Sequence, residues 1–118
     1  MNTNKSKDMV KLAFTAMDDK KAENIKIIDI SEVTAIADYF IICSGSNPSQ
    51  IDAIVDNIQE TLGREGFYIK RIEGNRSSGW ILMDFGDIVV HVFSRDDRLF
   101  YDLERIWRDG RSVDVSEI

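Results

Sequence analysis

The chain is 118 residues long, with 43% hydrophobic and 31% charged residues and a formal net charge of −6. That is the size of one ordinary domain, and its apolar content is enough for a core. The acidic balance argues against a direct, non-specific grip on nucleic-acid phosphates, which needs clustered Lys and Arg, and suits a basic protein partner. The single cysteine, Cys43, excludes an intrachain disulfide and fits a reducing compartment. The polar start, Met1 to Asp8, lacks a signal-peptide core, and no apolar run approaches the roughly 18 residues of a membrane span. The expectation is a soluble, cytoplasmic protein.

In chain order, Lys5 to Lys21 carries Met9, Leu12, Ala13, Ala16 and Met17 at helical spacing. Asn24 to Ile30 alternates and reads as a strand, and Ser31 to Ala37 as a connector with some helical character. Tyr39 to Ser44 is a near-continuous apolar run, the pattern of a strand covered on both faces and placed centrally in its sheet. A helix follows. Ser46-Asn47 caps it, Pro48 fits its first position, and Asn47 with Gln50 forms a capping box. Ile51, Ile54, Val55, Ile58 and Leu62 make its apolar stripe, and Gly66 its left-handed cap. Phe67 to Glu73 reads as a strand and Gly74 to Ser78 as a polar loop.

Gly79 to Phe93 reads as two strands joined by a tight turn at Phe85-Gly86, between Asp84 and Asp87. Period 2 places Trp80, Leu82 and Asp84 on one face, opposite Ile81 and Met83. Val89, His91 and Phe93 likewise lie opposite Ile88, Val90 and Val92. Each strand thus has one aliphatic face and one with larger or polar groups, where Trp80 and the only histidine could form a recognition surface. The plainer reading makes Trp80 core and His91 a hydrogen-bonded sheet residue. Arg98 to Trp107 reads as a last helix with Leu99, Leu103, Ile106 and Trp107 inward and Tyr101 offset from that stripe. Gly110 closes it, and Arg111 to Ile118 reads as a tail. The sum is one α/β domain over residues 1–118, ordered over 7–109: a mixed sheet of about five strands flanked by helices in the order α-β-β-α-β-β-β-α.

Catalytic constellations are weak. The strand–Gly45-Ser46–helix turn could cradle a phosphate and resembles the opening of nucleotidyltransferases of the polymerase-beta type. Those enzymes need two acids one position apart on a following strand to hold metal. Here Asp52 and Asp56 lie four apart on a helix, and Asp84 and Asp87 flank a turn, so no metal site and no cofactor are expected. One His and one Cys do not make a zinc site. A Cys43–His91 nucleophile pair gives way to burial of a mid-strand thiol. Lys70 and Arg71 are too few for a nucleic-acid patch. Arg95-Asp96-Asp97-Arg98 reads as a solvated helix entry.

Three motifs then stand in order: Ala37 to Ser46, the Glu73-Gly74 pair with Gly79 to Phe93, and Arg98 to Trp107. Together they resemble the ribosomal silencing factor family, also called Iojap, over Lys7 to Asp109. The resemblance implies a nucleotidyltransferase-like fold without the catalytic acids and no enzymatic activity. It also implies docking on universal protein fourteen of the large ribosomal subunit, which blocks joining of the small subunit and represses translation when nutrients are short. A homodimer when free, no membrane and no sequence-specific nucleic acid complete the expectation. The resemblance implies Trp80, Asp84, Asp87, His91 and Tyr101 as the contact surface, with Asp38 and Gly45 serving the fold. Two other readings stand beside it: a metal-dependent nucleotidyltransferase, and a homodimeric adaptor for other proteins.

Overall fold

The computed structural model describes residues 4–75, 79–95 and 110–118. Its elements are α1 (Asn4–Asp19), β1 (Glu23–Asp29), β2 (Tyr39–Gly45), α2 (Pro48–Arg64), β3 (Arg71–Glu73), β4 (Trp80–Asp84), β5 (Ile88–Ser94), β6 (Arg111–Val113) and a closing 3-10 turn, Val115–Glu117. The helix expected at Arg98 to Trp107 lies outside the described residues.

The six strands form one sheet in the order β3-β4-β5-β2-β1-β6. Only β2 and β5 run parallel, as their crossover through α2 requires; every other neighbour is antiparallel. The apolar run at Tyr39 does become an interior strand, buried on both faces except at Phe40. Both described helices pack on one face of the sheet. Met9, Ala13, Ala16 and Met17 of α1 and the five-residue stripe of α2 meet Ile41 and Cys43, Ile81 and Met83, and Val90 and Val92. The other face is a smaller cluster of Ile28, Ile42, Val89 and Phe93, onto which Ile30 and Ala37 of the β1–β2 connector pack, with Phe40, Trp80 and Leu82 half-buried at its margin.

Helix α2 begins and ends as its sequence dictates. Asn47 Oδ1 accepts the Gln50 N–H at 2.8 Å, and Pro48 stands at the first position. At the far end Phe67 N–H donates to Leu62 O and Gly66 N–H to Gly63 O, with Gly66 at φ +86°, a Schellman cap. The capping box is only half formed. Gln50 Oε1 accepts from the backbone and hydroxyl of Ser46 (2.6 and 2.8 Å) instead of from Asn47 N–H. Its amide nitrogen donates to Lys20 O and Lys21 O (3.1 and 2.9 Å). One glutamine thus ties the start of α2 to the α1–β1 turn, where Lys21 holds a positive φ of 61°.

Three expectations change. The turn of the Trp80 hairpin is one residue later: Phe85 is buried and its N–H donates to Ile88 O at 3.0 Å, so Gly86-Asp87 are the central pair. Of those two only Gly86 has positive φ (91°), which fits a type II′ turn. The strand expected over Phe67 to Glu73 pairs only at Arg71–Glu73. The residues after Gly110 are not a loose tail: β6 pairs with β1 (Ile27↔Val113, Asp29↔Arg111), and Val113 is buried.

Candidate functional site: the aromatic face of the β4–β5 hairpin

Pleating and register assemble the site. Trp80 pairs with Phe93, Leu82 with His91 and Asp84 with Val89, so all six side chains lie on the sheet face away from α1 and α2. Trp80 is half-buried, whereas His91 is only 3% exposed. The two meet across the strands: the indole Nε1–H donates to His91 Nδ1 at 3.2 Å. The rings stack as well. Trp80 lies 5.4 Å from Phe93 at 16° and 6.0 Å from His91 at 26°. Phe40, from β2, meets the imidazole edge-on at 4.9 Å and 76°. Burial pushes the His91 pKa from 6.5 down to about 4, so the ring is neutral near pH 7. A neutral ring that accepts at Nδ1 carries its proton on Nε2.

The two aspartates sit at the other end of the hairpin. Four strand steps separate Trp80 from Asp84, roughly 13 Å. Asp84 Oδ1 accepts the Gly86 N–H at 2.8 Å, the usual service of an Asp beside a glycine turn. Asp87 pairs with Lys5 of α1 at 3.5 Å and its carbonyl accepts the Asp38 N–H at 2.8 Å. The structure therefore brings Trp80 to His91 and Asp84 to Asp87, as two groups along one hairpin. Tyr101 lies outside the described residues. Sequence reasoning missed Phe40, whose ring completes the aromatic layer. Alternation sets Phe40 opposite Tyr39 and Ile41 on β2, but its place beside His91 comes from the β2–β5 pairing, which alternation does not supply.

The Gly45-Ser46 turn is occupied by the protein itself. Ser46 N–H and Oγ–H are taken by Gln50, and Asn47 serves as the helix cap. A Cβ at Gly45 would stand 2.8 Å from Ile51 Cγ1, so the glycine lets α2 approach the strand. Asp56 is exposed and Asp52 half-exposed on α2. Among the described residues no three His, Cys, Asp or Glu side chains are placed to hold a metal ion. Among the described residues no helix is long and apolar enough to cross a membrane.

Solved structures share this architecture. A crystal structure of a Chromobacterium violaceum protein superposes with a TM-score of 0.81 at 35% identity, covering 85% of this chain and 83% of that one. A Bacillus halodurans structure gives 0.80 at 37% identity, covering 91% and 97%. They define the class: a compact α/β domain built on one mixed sheet. Within that class the sequence is specific. The family profile described as "Ribosomal silencing factor during starvation" matches residues 3–118. Proteins named ribosomal silencing factor are similar over nearly the whole chain: 40% identical over 109 residues in Bacillus subtilis (92% of each chain), and 38% over 113 in Halalkalibacterium halodurans (96% and 97%). The chloroplastic Iojap protein of maize is 30% identical over 95 residues, which span 80% of this chain and 41% of that protein. The chain belongs to the ribosomal silencing factor family. It is thereby a factor with a general role in ribosome regulation, not an enzyme.

Proposed function

We propose that the protein docks on the large ribosomal subunit through universal protein fourteen and, by occupying that face, blocks joining of the small subunit and represses translation under nutrient limitation. Family membership over residues 3–118 carries the reading. The site supports it physically. A half-buried indole on a rigid sheet is the kind of group that anchors a protein interface, because it buries much area and has few torsions to freeze. The net charge of −6 favours encounter with a basic ribosomal protein surface.

In this reading Trp80 is the central anchor and Asp84 and Asp87 form an acidic rim at the turn; His91, expected from the resemblance as a contact, is only 3% exposed and supports the anchor instead, and Tyr101 is a further contact. The protein acts in the cytoplasm, needs no cofactor, makes no sequence-specific nucleic-acid contact, and is a homodimer when free. The test is co-sedimentation of purified protein with separated subunits. Travel with the large subunit alone is expected; travel with the small subunit, or with neither, sinks the proposal.

A further inference from the structure

We propose that His91 is the positioning residue for the Trp80 contact: a buried imidazole that fixes the indole from beneath and does not itself touch the partner. The inference rests on the docking role proposed for Trp80 and assigns His91 a different part in it.

His91 is the diagonal cross-strand neighbour of Trp80 on the same sheet face, within reach of a long side chain and more deeply buried than the half-buried indole. At 3% exposure it offers no surface to an incoming protein. What it offers is an acceptor: Nδ1 receives the indole N–H at 3.2 Å. Phe93, its direct cross-strand partner, stacks on the indole at an interplanar angle of 16° and sets its plane, and the hydrogen bond sets its rotation within that plane. The imidazole is itself held, edge-on by Phe40 at 4.9 Å and near-parallel to Phe93 at 12°. A residue here must be flat enough to enter this aromatic layer and must also accept a hydrogen bond. Phe satisfies only the first demand. Burial, which keeps the ring neutral, preserves the Nδ1 lone pair for the indole. An indole already oriented before contact loses less rotamer freedom on binding, so the gain shows as affinity.

The test has two arms on the full-length chain. In the wild-type protein, long-range proton–nitrogen NMR should show His91 protonated at Nε2 and bare at Nδ1, with the Trp80 indole proton shifted downfield. A proton on Nδ1 overturns the inference, and this arm requires no variant to fold. In the second arm, affinity for isolated large subunits is measured. His91→Phe should weaken it roughly five-fold, the size expected when one side chain must be ordered on binding instead of beforehand. His91→Asn, which restores an acceptor near Nδ1, should recover it to within about two-fold. In a Trp80→Phe background the His91 substitution should have no further effect. If Trp80→Ala loses binding while His91→Phe binds as wild type, the positioning role is wrong and the docking role stands. If wild type does not bind, or Trp80→Ala binds as well as wild type, the docking role fails and this inference with it, whatever the NMR arm shows.

Discussion

Trp80 serves the sheet and, in the proposed role, a partner, and the two uses predict separable losses. Its stacking on Phe93 and its hydrogen bond to His91 contribute to the fold. Trp80→Ala should therefore cost about 2 kcal/mol of stability and leave circular dichroism native. Subunit affinity should fall roughly 30-fold, as for an interface hot spot. Global unfolding would make Trp80 a core residue only. His91 predicts a pH effect. Its folded pKa, about 4, lies below the ordinary 6.5, so the unfolded chain takes up the proton first as pH falls. The stabilisation is fully present above pH 6.5 and lost between 6.5 and 4; a shift of this size is worth roughly 3 kcal/mol. Urea midpoints at pH 7 and 4.5 should separate more for wild type than for His91→Asn. Equal separation would contradict the burial argument. Alternation placed Trp80 and His91 each on the less aliphatic face of its own strand, and the strand register makes those two faces one. That the indole would bond the imidazole was not legible, because a diagonal contact depends on which residues the turn brings opposite each other.

At the level of elements, α2 was read almost to the residue because independent signals agreed: the cap at Asn47, Pro48, the apolar stripe and Gly66. Gln50 was underestimated, since its partners at Lys20 and Lys21 are distant in sequence. Gln50→Ala should therefore destabilise more than Asn47→Ala, itself worth about 1 kcal/mol; thermal melts of the two variants decide the order. Gly86 carries a second prediction. With φ at +91°, a conformation that L side chains rarely adopt, Gly86→Ala should cost about 1 kcal/mol and loosen the turn that Asp84 braces. The one-residue error at this turn has a plain origin: Phe85 looks like a turn residue beside glycine, and only its burial shows that the ladder continues through it. β6 was invisible for the opposite reason. Three residues carry no periodicity, and their strand exists only because β1 offers an edge, with Val113 buried and Arg111 3.6 Å from Asp29.

On the scale of the whole molecule, both described helices cover one sheet face, and the aromatic residues of the hairpin lie on the other. The acidic charge should make association with the ribosome faster at low ionic strength, with the dissociation rate less affected. A salt-independent association rate would remove electrostatic steering from the account. The class was legible from composition and element order, and the family from three ordered motifs. The six-strand order was not, because it depends on the β2–β5 parallel pairing, with residues 46–87 between the two strands, and on the late return of β6. The most direct test is light scattering of subunit joining after purified small and large subunits are mixed with this protein. Wild type should lower the yield of joined ribosomes in proportion to its occupancy of large subunits, and Trp80→Ala should restore joining at equal concentration. Undiminished joining with large subunits saturated by wild-type protein would contradict the account.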